Sequence, residues 1–126
     1  MPHGRIRALD RFLGGFLVLG SLLHAGGSWA GYRGQPETLV WALSGSLAGL
    51  LLASLHLLRV DRPDDRAIGW ISFAGSVAWM GVALGFGYAV GNVLDPRGLT
   101  HALNAALLAA MSVRTLAGSE GQRAHG

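Results

Sequence analysis

Four long apolar stretches alternate with short polar segments along the chain: Phe12–Ala30, Thr38–Leu58, Ala67–Gly91 and Leu99–Leu116. The second, TLVWALSGSLAGLLLASLHLL, contains no formally charged residue. A single helix needs roughly 20 apolar residues to cross a bilayer, and this stretch meets that length. None of the four carries the continuous polar face that a helix on a water-exposed bundle requires. The pattern predicts helices over residues 9–31, 38–59, 66–91 and 99–116. The expected fold is therefore all-α, a four-helix polytopic transmembrane bundle with short loops and one domain over the whole chain.

The intervening segments read as turns. GYRGQPE holds Gly34 and Pro36 as local breakers. RVDRPDDR, residues 59–66, is the most polar stretch; Pro63 stops helix propagation and Asp64 or Asp65 can cap the next helix. NVLDPRG makes the third turn. The end of the chain, Gly118–Gly126, is small and polar and is expected to lie outside any packed element. Arg5, Arg7 and Arg11 before the first apolar run, with Ser28-Trp29-Ala30 at its end, also suit a cleaved signal peptide. The run is long for a signal core and three comparable runs follow, which favours a retained first helix.

Composition strengthens the membrane reading. Of the 126 residues, 51% are hydrophobic and only 13% charged, against about 25% charged in soluble domains. The 20 glycines fit closely packed membrane helices. The net charge of +3 comes from arginines alone. With the amino terminus inside, Arg5, Arg7, Arg11, Arg59, Arg62, Arg66, Arg114 and Arg123 share that side, and only Arg33 and Arg97 lie opposite. This asymmetry places both termini in the cytoplasm and the chain in the bacterial cytoplasmic (inner) membrane. Tyr32, Trp41 and Tyr88 then fall at the outer interface and Trp70 at the inner one, while Trp79 lies deeper.

Small residues four apart mark candidate helix contacts. Gly27 and Gly31, Gly45 and Gly49, Gly81 and Gly85, and Gly87 and Gly91 all fit, and the second helix is the best candidate for the central contact. Among polar groups in the apolar runs, His24 counts roughly 10 Å inward from Gly31 and Asn104 roughly 9 Å inward from Gly98. His101 and Ser28 count about 4.5 Å inward from the same side. His24, Ser28, His101 and Asn104 thus form a candidate outward-facing ligand site, with a plain interhelical hydrogen bond as the competing reading. His56 falls near the inner surface, roughly 16 Å in depth from His24, so the two are poor partners for one haem iron. Every carboxylate is expected at a helix end, in a loop or in a tail.

Several function classes are excluded. Cys is absent, which removes thiolate chemistry and Cys-ligated metal sites. No phosphate-binding loop, dinucleotide fingerprint, metalloprotease His motif or serine-hydrolase elbow occurs. The arginines cap apolar runs and form no basic helix face, so nucleic acid is not expected as a partner. The sequence names no cofactor. The expected partners are membrane lipids and either other membrane subunits or further copies of the chain. The leading expectation is a non-catalytic accessory or structural subunit of a larger membrane assembly. The alternative is a small homo-oligomeric transporter or channel with an outward-facing polar site.

Overall fold

A computed structural model describes residues 2–123. The described residues are all-helical and contain no strand: α1 (Pro2–Gly31), α2 (Pro36–Asp61), α3 (Arg66–Ala89) and α4 (Pro96–Arg123). Two of them, α2 and α3, are long and apolar enough to cross a membrane by length and composition. The ends of α2 and α3 fall within two residues of expectation, and the larger differences are in α1 and α4. Helix α1 begins at Pro2 and takes in the basic leader, and α4 runs from Pro96 to Arg123, through most of the small polar tail. His125 lies outside the described residues.

One turn is used three times. In each, the residue before the new helix donates its N–H to the carbonyl three residues back: Gln35 to Tyr32, Asp65 to Arg62 and Asp95 to Asn92. The following helices begin at Pro36, Arg66 and Pro96, so the period is uniform although the sequences do not repeat. Proline at the first helical position removes a donor that would be orphaned there and presets φ for the helix. Asp65 caps α3 by accepting from Ile68 N at 3.1 Å, and Asp95 accepts from Arg97 N at 2.9 Å at the start of α4. Gly91 has φ +72°. Its N–H donates to Tyr88 O, and Asn92 N–H donates to Gly87 O. This is a Schellman termination, which needs a left-handed residue at that point. Gly91 therefore ends α3, and a Cβ there would meet nothing within 4 Å.

The helices form a ring. Helix α1 packs most extensively on α2 and α3 on α4, while α2–α3 and α1–α4 close the ring more loosely. The apolar core is small: Leu13, Leu17, Leu52, Ala53 and Leu108, with Val18, Trp79 and Met111 packed against it. Glycines permit several of the close approaches. A methyl group at Gly49 would collide with Ser21 Oγ and approach the Trp79 ring. Gly14 meets Leu57, Gly20 the His101 ring, Gly69 Leu116 and Gly75 Leu52. Of the expected contact glycines, a Cβ would meet another atom within 4 Å only at Gly49 and Gly87, and for Gly87 that atom belongs to the turn after its own helix. Gly27, Gly31, Gly45, Gly81 and Gly85 face open space. Spacing alone marks a face without saying what stands opposite it.

Polarity is inverted relative to a soluble bundle. Ser21, Ser28, Ser46, His56, Arg59, Ser72, Ser76, Asn104 and Ser112 are buried. Leu19, Leu23, Trp41, Leu47, Leu51, Ile71, Val82, Leu103 and Leu107 are exposed.

Candidate functional site

Between the two hairpins lies an open cavity of about 860 Å³. Helix α1 supplies Phe16, Gly20, Ser21, Leu23, His24, Gly27, Ser28 and Gly31; α3 supplies Trp79, Val82, Ala83 and Phe86. Helix α2 adds Gly45 and Ser46, and α4 adds Arg97, Gly98, Thr100 and His101. From Phe16 to Gly31 the α1 wall extends roughly 22 Å along the helix axis. The glycines matter as absences: Gly27, Gly31 and Gly45 leave the volume that side chains would fill.

Three of the four residues expected to form a polar site border this cavity: His24, Ser28 and His101. Asn104 does not. It is buried, and its Nδ2 points to Leu13 O at 3.5 Å. His24 instead bonds across to α2, with Nδ1 2.8 Å from Ser46 Oγ. Where the Ser46 hydroxyl donates to Ala42 O, 3.3 Å away, His24 Nδ1 must be the donor to Ser46. His101 lies opposite Gly20 rather than Ser28. Eight residues separate those two positions on α1, so α4 sits roughly 12 Å further in than a common outer boundary implies. Counting depth from the turns fails because the α3–α4 turn is drawn inward. Gly98 packs so closely on α3 that a Cβ there would lie 2.8 Å from Ala83 O.

Sequence reasoning missed Ser21, Ser46 and Trp79. Ser21 carries a readable signal, since it shares a helical face with His24 and Ser28 by three- and four-residue spacing. Trp79 carries none, because its position depends on where α3 meets α2. Ser21 Oγ, Trp79 Nε1 and His101 Nδ1 are buried without hydrogen-bond partners. All three residues border the same cavity. The Trp79 and His101 rings meet edge to face, with centroids 6.2 Å apart. At the mouth, Arg97 is held by Asp95 through contacts of 2.9 and 3.0 Å, and its guanidinium stacks over Phe86 at 5.2 Å. The hydrogen bond from the Arg97 side chain holds the Asp95 carboxyl down to about 2.

A second polar centre lies toward the α2–α3 turn and corrects the expectation that every carboxylate is peripheral. Asp10 is buried and accepts from Arg59 NH2 at 2.6 Å. Arg59, only 1% exposed, also donates to Thr115 Oγ1 at 2.7 Å and to Met111 O at 3.1 Å. It touches His56 Nδ1 at 3.4 Å. A guanidinium only donates, so His56 Nδ1 accepts and its Nε2 carries the hydrogen given to Ser76 Oγ at 2.7 Å. Asp10, Arg59 with His56, Ser76 and Thr115 thus tie one residue set from each of the four helices. Arg59 was expected at the membrane boundary, near the polar turn. It turns inward because α1 continues past the apolar run and brings Asp10 beside it. The exposed Arg11–Asp61 pair, at 2.6 Å, forms a second α1–α2 link beside it. Among the described residues, no group of three or more His, Asp or Glu side chains converges as a metal site requires.

Comparison with known proteins finds no matching family model, no similar curated protein and no similar solved structure.

Proposed function

We propose that the chain is a four-span integral membrane protein whose outer cavity binds a small ligand, as a binding or translocating unit. The observation that carries this reading is an open cavity bordered by Ser21, Trp79 and His101, each with a buried polar atom that has no hydrogen-bond partner, in a bundle that exposes many large apolar side chains and buries several polar ones. A buried polar group without a partner is costly. Three around one cavity give a ligand more to gain there than at any apolar surface.

Four spans are supported by several features together. Helices of 24 and 26 residues are roughly 36 and 39 Å long, close to a bilayer with its interfacial zones. Helix α1 has no Asp, Glu, Arg or Lys from Phe12 to Tyr32, and α4 has none from Gly98 to Val113. The uniform period of the turns suits a slab of uniform thickness. The arginine distribution favours cytoplasmic termini. A second reading, an accessory subunit of a larger assembly, is favoured by one feature: Ala74, Ala78, Gly81 and Gly85 share an exposed face of α3, and a methyl group at either glycine would meet nothing.

The absence of cysteine makes the test clean. Single variants Gly4→Cys, Gly34→Cys, Asp64→Cys, Asn92→Cys and Gly118→Cys are labelled in intact cells with a membrane-impermeant maleimide. Residues 34 and 92 should label from outside and residues 4, 64 and 118 only after permeabilisation. Labelling of residue 4 or 118 from outside would refute four spans. For the cavity, Gly27→Phe fills open space and should abolish small-molecule retention seen by native mass spectrometry of the purified protein. Unchanged retention would place the ligand elsewhere.

A further inference from the structure

We infer that the cavity takes an elongated, uncharged lipophile that presents an oxygen acceptor, of the carbonyl type, to Trp79 and Ser21. The inference rests on the ligand-binding reading above and specifies its chemistry.

Shape sets the first constraint. A cavity of about 860 Å³ drawn out over roughly 22 Å of helix is a slot, and a slot fits an extended chain better than a compact solute. The walls, with Phe16, Leu23, Val82 and Phe86, are apolar, and long hydrocarbon is what such walls desolvate favourably.

Polarity sets the second. The indole Nε1 of Trp79 is a donor and cannot accept, so its partner must supply a lone pair. Ser21 Oγ, also without a partner, is a second donor near the Trp79 ring, since both side chains lie against Gly49. The unpartnered His101 Nδ1 adapts to either role through its tautomer. A carbonyl oxygen has two lone pairs and meets two donors at once.

Charge sets the third. No carboxylate lines the cavity, so an ammonium head would be buried without a counter-ion, a costly placement. The one formal charge on the lining, Arg97, is already neutralised by the bidentate Asp95 contact. A carboxylate or phosphate head would therefore find no free cation among the lining residues. An uncharged acceptor avoids both penalties.

The purified full chain in one detergent is offered methyl palmitate, hexadecane, hexadecylamine and palmitate at equal concentration, and occupancy is read by native mass spectrometry. Two additional hydrogen bonds predict that methyl palmitate is held about tenfold more tightly than hexadecane, with amine and palmitate no better than hexadecane. The double variant Ser21→Ala, Trp79→Phe keeps an aromatic ring at position 79, slightly enlarges the cavity and removes both donors. It should still hold hexadecane and lose the ester preference. Equal binding of ester and hexadecane by the unsubstituted chain would overturn the inference, and so would preference for the amine or for palmitate. If none of the four binds, the ligand-binding reading itself falls.

Discussion

Two ion pairs join α1 to α2 at the same length, 2.6 Å, and differ in their surroundings. Arg59–Asp10 has side chains 0% and 10% exposed, whereas Arg11–Asp61 has side chains 56% and 60% exposed. Substituting Asp10→Asn and Asp61→Asn therefore isolates burial at constant geometry. Asp10→Asn leaves Arg59 buried with the new amide oxygen, Thr115 Oγ1, Met111 O and His56 Nδ1 as acceptors, but with no counter-charge. Breaking one side of a buried pair costs about 3–5 kcal/mol. The surviving acceptors and the small cavity of about 220 Å³ beside the pair put the expectation at the lower end of that range, about 3 kcal/mol. The exposed pair gains little from its geometry because solvent screens it, so Asp61→Asn should cost below about 1 kcal/mol. Reversible unfolding in mixed micelles, titrated with sodium dodecyl sulfate and followed by tryptophan fluorescence, reads both. The double variant Asp10→Leu, Arg59→Met should be less destabilised than Asp10→Asn alone, because it leaves no unpaired charge. Equal costs for Asp10→Asn and Asp61→Asn, or a cost below about 1 kcal/mol at Asp10, would refute the view that burial makes this pair the inner fastening of the bundle.

Two further outcomes follow from the turn at the cavity mouth. Gly98→Ala places a methyl group against the Ala83 carbonyl, where only backbone can yield. It should destabilise the fold by about 1–3 kcal/mol, whereas Gly81→Ala, which meets open space, should change stability by less than about 0.5 kcal/mol in the same unfolding titration. Asp95 has its folded carboxyl held down to about 2 by Arg97, below the ordinary 3.8. Its contribution is thus fully present above 3.8 and is lost as pH falls toward about 2. Carboxyl chemical shifts should show its midpoint in that acidic range, and Arg97→Gln should move it upward; a midpoint already near 3.8 would contradict the bidentate turn.

The apolar runs made four helices legible because helix formation in such stretches depends on local backbone pairing and on continuous hydrophobicity. Turn chemistry was legible for the same reason. Pro36 and Asp65 act on their own neighbours, and a capping carboxylate needs nothing from a distant part of the chain; Gly91, expected at a helix contact, instead ends α3. Helix ends were less so, since the leader and the tail are polar yet continue α1 and α4.

The site was only partly legible. His24, Ser28 and His101 stand out as polar groups within apolar runs, and all three border the cavity. Asn104 stands out equally and does not, because the depth of α4 against α1 is set by packing. Gly98 draws its start onto α3, and Gly20 admits the His101 ring.

The sequence by itself therefore determined the number of helices, their turns and the apolar character that two of them need to cross a membrane. Tertiary structure alone decided which polar groups meet. It turned Arg59 from a boundary residue into the buried partner of Asp10. It placed Trp79 and Ser21 beside one cavity, both without hydrogen-bond partners. The physical reason is range: helix and turn preferences are settled within a few residues, whereas an ion pair between residues 10 and 59, or a cavity shared by four helices, depends on relative rotation and depth that no single segment encodes.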